Sequence, residues 1–293
     1  MLKPKPPPFL PWPAVKCVAF FIAFLLAICG FILCYIYFKD LFNGKDPFTN
    51  FLNELIKIII CLSVFSFIIF LLIKIKFVNK NSASNAYAKP VLDFLKRYGS
   101  KATVILLLIG LYRISDVVLG VMANVFYIEK GFSVAEIATY SKFFGTIATV
   151  IGGIIGGLAA VHLGIMRSLF IGALISSLSN LLFAWLANIA ADIRILSFVI
   201  TADNIASGFA GATFIVYLSA LTSVKFTATQ YALFSSVMLF LPKLIAGYAG
   251  SFVNLFGYQT FFIFTTIIGV PVLFLIMWIN KIVNINKNWF TAL

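Results

Sequence analysis

Long, nearly unbroken apolar runs recur along the chain, separated by short polar stretches. Eight of them span about residues 17–38, 52–75, 103–126, 136–161, 168–188, 196–221, 228–250 and 258–280. A helix needs roughly 20 mainly apolar residues to cross the hydrocarbon core of a bilayer, so each run is predicted to be a transmembrane helix. Membrane β-strands are shorter and alternate in polarity, which excludes an outer-membrane barrel. The predicted fold class is an all-α polytopic membrane protein with about eight transmembrane helices. Hydrophobic residues make up 62% of the chain and charged ones 11%, which leaves no segment polar enough for a separate soluble domain.

Glycine divides the runs into two groups. The first two are dense in Phe, Ile and Leu, with Gly30 as their only glycine, and read as lipid-facing helices. The last six carry glycine throughout. Gly152, Gly153, Gly156 and Gly157 form overlapping small-xxx-small pairs, where two helix backbones can approach closely. The organisation that follows has five parts. Residues 1–16 are a proline-rich cytoplasmic N-terminus and 17–76 two lipid-facing helices. Residues 77–101 are a cytoplasmic basic linker, 102–282 a six-helix bundle and 283–293 a cytoplasmic tail. Within the linker, residues 91–98 have the pattern of a short amphipathic helix lying on the inner leaflet.

The net charge of +13 is a matter of topology. With the N-terminus inside, the basic stretch between residues 74 and 101 falls on the cytoplasmic side, as do Lys3, Lys5, Lys16, Arg167 and Lys225. The outer side holds only Lys39, Lys45, Lys57, Lys130 and Arg194. Basic residues gather on the cytoplasmic side of short loops, so both termini are predicted to be cytoplasmic. The cations flank spans and form no basic face, so no nucleic-acid partner is expected. Trp12, Trp278 and Trp289 fall at the inner boundary and Trp185 near the outer one, as an aromatic belt requires. Cys17, Cys29, Cys34 and Cys61 lie inside the first two spans, without metal-site spacing, and read as small apolar residues. No metal and no cofactor is expected.

Five ionisable residues break the apolar pattern where the bilayer core should be: Arg113, Asp116, Lys142, Asp203 and Lys243. Charge at that depth costs at least about 2.5–3.5 kcal/mol per residue, and it usually marks a solute or proton pathway. At a rise of 1.5 Å per residue, four of them lie about 10 Å from the outer face, with Arg113 deeper. Arg113, Asp116, Gly120 and Asn124 share one helical face, and Asp203 and Asn204 lie beside Ser207 and Gly208. Pro242 is expected to kink or open the helix that carries Lys243. Two readings of Arg113 with Asp116 stand: a buried structural pair, or part of a water-accessible chamber. In the second reading three cations face two carboxylates, a balance that suits an anionic solute, and Asp203 is the proton carrier. Gln230, with Thr227 and Thr229, opens the seventh span and reads either as an inner gate or as a helix start capped by Thr227. His162 reads as a polar helix end. An intramembrane hydrolase is excluded because Arg113 and Lys142 would hold both carboxylates ionised, so the chain is not expected to be an enzyme.

Several segments resemble, in order, the C-terminal half of AmpG-type muropeptide permeases. They are Leu111-Tyr112-Arg113-Ile114-Ser115-Asp116 with Val121-Met122-Ala123-Asn124, then Gly164-Ile165-Met166-Arg167. Ala202-Asp203-Asn204 follows, running into Gly208-Phe209-Ala210-Gly211. The most specific is Phe226-Thr227-Ala228-Thr229-Gln230-Tyr231-Ala232-Leu233. The resemblance covers about residues 88–282. It implies that the last six helices form one half of a major facilitator superfamily transporter, with spans 103–126 and 196–221 facing the central cavity. It also implies proton-driven uptake of anhydromuropeptides across the bacterial inner membrane, with membrane lipid, an anionic muropeptide and protons as partners. The N-terminal half of such a permease has no counterpart here. A separate N-terminal half or a second copy is therefore an expected partner, and the chain reads as a truncated or split permease. The alternative is a non-transporting membrane remnant or assembly partner.

Overall fold

The computed structural model describes residues 14–38, 47–75 and 88–283, and the chain divides into two units, residues 1–89 and 90–293. The proline-rich start, most of the basic linker and the tail lie outside the described residues, as do Trp12 and Trp289. Among the described residues seven helices are long and apolar enough to cross a membrane. The apolar part of an eighth, Phe21–Tyr37, is shorter.

The first unit is a pair of helices, α1 (Ala14–Tyr37) and α2 (Pro47–Lys74). Ala23, Ala27 and Cys61 are buried between them. A methyl group on Gly30 would collide with the Ile68 side chain, so the one glycine of this pair makes room for α2. Lys57, only 2% exposed, bonds Glu54 at 2.8 Å. Phe21, Leu33, Ile59, Phe67 and many similar side chains point outward, as lipid contact demands.

The second unit starts with the short helix α3 (Lys89–Tyr98), then α4 (Lys101–Leu111) and α5 (Ile114–Glu129). The span expected at 103–126 is thus two helices, broken at Tyr112 and Arg113. Next comes α6 (Val134–Ile137), started by a capping box in which Ser133 and Glu136 bond each other's backbone. A π-helical stretch (Ala138–Phe144) leads into α7 (Gly145–Leu163). It is followed by α8 (Ile165–Asn188), α9 (Ile193–Leu221), α10 (Thr227–Ala246) and α11 (Ala249–Ile282). Gly257, at φ 78°, interrupts α11. Only glycine takes that backbone conformation without strain, so the chain turns there. Pro242 sits inside α10 without ending it; the break comes at Gly247 and Tyr248, whose N–H groups bond Lys243 and Ile245.

The helices form two layers. In front, α7 packs on α9, α9 touches the α4–α5 break, and α10 packs on α4 and α5. Behind them lie α8 and α11. The closest crossing is α7 with α9. A methyl on Gly152 would strike the backbone of Ile205, one on Gly156 that of Phe209, and one on Gly208 that of Thr149. The four glycines are not used equally. A methyl on Gly153 would meet the Gly208 carbonyl only at 3.9 Å, an ordinary contact, although one on Gly208 would lie 3.0 Å from the Gly153 nitrogen; Gly157 has open space. Behind, Phe126, Phe183, Phe261 and Phe262 form the aromatic centre of the core.

Candidate functional site

The site is built on the α4–α5 break. Tyr112 pins it: its ring stacks on Phe214 at 4.4 Å, and its hydroxyl bonds the Leu169 carbonyl at 3.1 Å. Gly172 leaves room for that hydroxyl. Arg113 follows with a non-helical backbone (φ −97°, ψ 12°) and is the residue from which α5 begins. Its guanidinium lies 3.2 Å from Asp116 and donates to the Ser207 hydroxyl at 3.0 Å and the Ser207 carbonyl at 3.3 Å. Gly211 gives it space: a methyl there would sit 3.1 Å from the guanidinium. Asp116 falls in the first turn of α5, where a carboxylate is favoured by the helix dipole.

Two serines one turn apart on α8 hold the two carboxylates. Ser176 donates a hydrogen bond to Asp116. Ser179 donates to Asp203 at 2.9 Å and also reaches the Ser176 carbonyl at 2.8 Å. On the α7 side, Thr149 bonds the Asn204 side chain at 2.9 Å. Arg113, Asp116, Asn124, Asp203 and Asn204 line one cavity of about 230 Å³, with Gly120 on the same α5 face.

The structure does not bring Lys142, Lys243 and Gln230 to this cavity. Lys142 lies exposed in the π-helical stretch, and its neighbour Ser141 is the residue that lines the cavity. Asp203 is held by Ser179 and not by a lysine. Lys243 is likewise exposed, on α10, and neither lysine has an ion-pair partner among the described residues. The cavity therefore holds one cation and two carboxylates, not the cationic surplus that counting all five charges gives.

Gln230 is 1% exposed and serves a different purpose. Its amide donates to the Pro90 carbonyl at 2.8 Å and to Asp93 at 3.0 Å. Its oxygen accepts from the Ser223 backbone at 2.7 Å and from Arg97 at 3.0 Å. Arg97 also bonds Asp93 at 3.1 Å and the Leu221 carbonyl at 3.0 Å. The result ties α3 to the turn between α9 and α10. Thr227 does not cap α10: Phe226 occupies the cap position, and the Thr227 hydroxyl bonds the Ser223 carbonyl at 2.8 Å.

Sequence reasoning missed the polar residues of α8. Besides Ser176 and Ser179, the fully buried Asn180 donates to Ser115 at 2.7 Å and to Thr265 at 3.1 Å, joining α8 to α5 and α11. The signal was present as the run Ser176-Ser177-Leu178-Ser179-Asn180 in the middle of an apolar helix.

Sequence comparison finds relatives of known name. The chain is 35% identical over 212 residues to a Rickettsia conorii protein named "Putative transporter AmpG 4", a match covering 72% of this chain and 51% of that protein. The Rickettsia felis protein of the same name is 38% identical over 200 residues, covering 68% and 48%. "Putative transporter AmpG 1" of Rickettsia conorii is 34% identical over 242 residues, covering 77% and 58%. No protein-family model matches the chain. The chain spans about half the length of the curated relatives it matches. By shared sequence over about half of each relative, with apolar helices long enough to cross a membrane, the chain belongs to the family whose members carry the name "Putative transporter AmpG".

Proposed function

We propose that the second unit is one half of a proton-coupled permease that takes anhydromuropeptides across the bacterial inner membrane, with both termini cytoplasmic. The observation that carries this reading is the cavity at the helix break, where Arg113, Asp116 and Asp203 meet on two facing helices. Secondary transporters bind solute and coupling ion near the bilayer midplane, beside interrupted helices. Asp116 has a guanidinium partner, whereas the hydrogen bond that Asp203 receives comes from a hydroxyl, so Asp203 is the carboxylate placed to take up and release the proton. Arg113, Asn124 and Asn204 supply donors for the carboxylates and amides of a peptide. The solute itself follows from the motif resemblance, and lipid covers the outward apolar faces.

Alternating access needs a second bundle, which a separate N-terminal half would provide. Uptake of labelled anhydromuropeptide is measured in a permease-deficient bacterium expressing the chain, alone and with an N-terminal half of an AmpG transporter. Proton-dependent uptake that Asp203→Asn abolishes supports the reading. No uptake in either combination, with the chain present in the membrane, overturns it and leaves the assembly-partner role.

A further inference from the structure

The second unit has another cavity, of about 390 Å³, which shares no lining residue with the one at Arg113. It lies where three elements end or break. Glu129 closes α5, Ala187 is one residue from the end of α8, and Gly257 interrupts α11. Its volume falls in the range of small-molecule sites, about 300–1,000 Å³.

The lining carries both signs of charge. Glu129 is exposed and forms no ion pair among the described residues. Lys130 beside it uses one of its three N–H groups on the Ala187 carbonyl, at 2.8 Å, which leaves two for a ligand. The ring of Tyr258 packs on Phe126 at 5.0 Å, and its hydroxyl is buried there without a hydrogen-bond partner, an unfavourable state for a polar group. Thr260 adds an exposed hydroxyl. Because α11 resumes after Gly257, its new first turn favours an anionic group. The surroundings are those of a membrane boundary. Ile128, Leu255 and Phe256, next to the lining residues in the chain, are exposed, as is Trp185 on the last turn but one of α8.

We propose that this cavity binds the phosphoethanolamine headgroup of a membrane phospholipid, with the ammonium on Glu129 and the phosphate between Lys130, Thr260 and the new start of α11. The lining selects this headgroup over its common alternatives. A phosphodiester without an amine sets its negative charge beside Glu129 and gives that carboxylate nothing. A trimethylammonium headgroup brings a positive charge but no N–H, so the charge-assisted hydrogen bond to Glu129 is lost. Ethanolamine supplies both, and the Tyr258 hydroxyl is free to donate to the phosphate. The acyl chains then leave along Ile128, Leu255 and Phe256. The inference rests on the chain being membrane-embedded, and it is independent of the solute carried.

The test uses the full chain, purified in mild detergent. It is given an equimolar mixture of phosphatidylethanolamine, phosphatidylcholine and phosphatidylglycerol with identical acyl chains, and the lipid it retains is read by native mass spectrometry. Wild type is compared with Glu129→Gln and Glu129→Asp, each first shown to be monodisperse with unchanged thermal unfolding. Wild type is expected to retain the ethanolamine lipid at least about fivefold over each of the other two. Glu129→Gln is expected to bring the ethanolamine-to-choline ratio close to one, and Glu129→Asp to keep part of the preference. Equal retention of ethanolamine and choline lipids by wild type, or a preference that Glu129→Gln keeps, overturns the proposal. Preferred retention of phosphatidylglycerol overturns it in favour of a plain anion site at Lys130. Displacement of the lipid by an equal concentration of soluble phosphoethanolamine overturns it in favour of a free zwitterion. Lipid retention is read without solute or a partner half, so its failure is distinct from a failure of uptake.

Discussion

Gly152 and Gly157 belong to the same motif, yet alanine should be damaging at the first position and close to neutral at the second. At Gly152 a methyl would overlap the carbonyl of Ile205, and the atoms it meets are backbone, which cannot rotate away. The α7–α9 crossing must open, and contacts at Gly156 and Gly208 loosen with it. Overpacking of this kind costs about 1–3 kcal/mol. Lipid tails are as apolar as the side chains, so little hydrophobic force remains to pull the helices together again. At Gly157 nothing lies within 4 Å of the added methyl, and the change should stay within about 0.5 kcal/mol. Thermal unfolding of the detergent-solubilised protein, followed by the loss of monodisperse material, measures both. Gly157→Ala as damaging as Gly152→Ala would refute the claim that the crossing rests on Gly152 and Gly156 and not on Gly157.

Gln230→Leu removes four hydrogen bonds and leaves the Ser223 N–H and Pro90 carbonyl without that partner. At about 0.5–1.5 kcal/mol per bond, a loss of about 2–6 kcal/mol is expected, with earlier protease cleavage around α3. Asp116→Asn leaves Arg113 without its counter-charge and should cost on the order of 3 kcal/mol, which chemical or thermal unfolding would detect. Asn180→Leu removes the two bonds that join α8 to α5 and α11, while Ser115 keeps its own bond to the Thr265 carbonyl. It should lower stability by about 1–3 kcal/mol, and an unchanged melting profile would show the network to be dispensable.

The all-α membrane class and seven of the eight expected spans were legible because a membrane span is defined by length and apolarity, which local composition reports. The Arg113, Asp116, Gly120 and Asn124 face was legible for a related reason: helical spacing fixes which residues share a side. The break at Tyr112 and Arg113 was not, since neither residue forbids a helix and Phe214 and Leu169, far along the chain, hold the turn. Lys142 escaped because a π-helical stretch shifts the phase that an α-helical count assumes. Gln230 stood out in the motif, but its partners Pro90, Asp93 and Arg97 lie more than a hundred residues away.

That π-helical stretch also reconciles two ends of one rod. At Ser133 the chain must present a capped start, and from Gly145 onward its glycines must meet α9. A π turn takes up about one residue more than an α turn, and so offsets the two ends by roughly 100°. In a uniform rod, satisfying one end would misdirect the other. The widened turn absorbs the mismatch, and Ser141 is left facing the cavity.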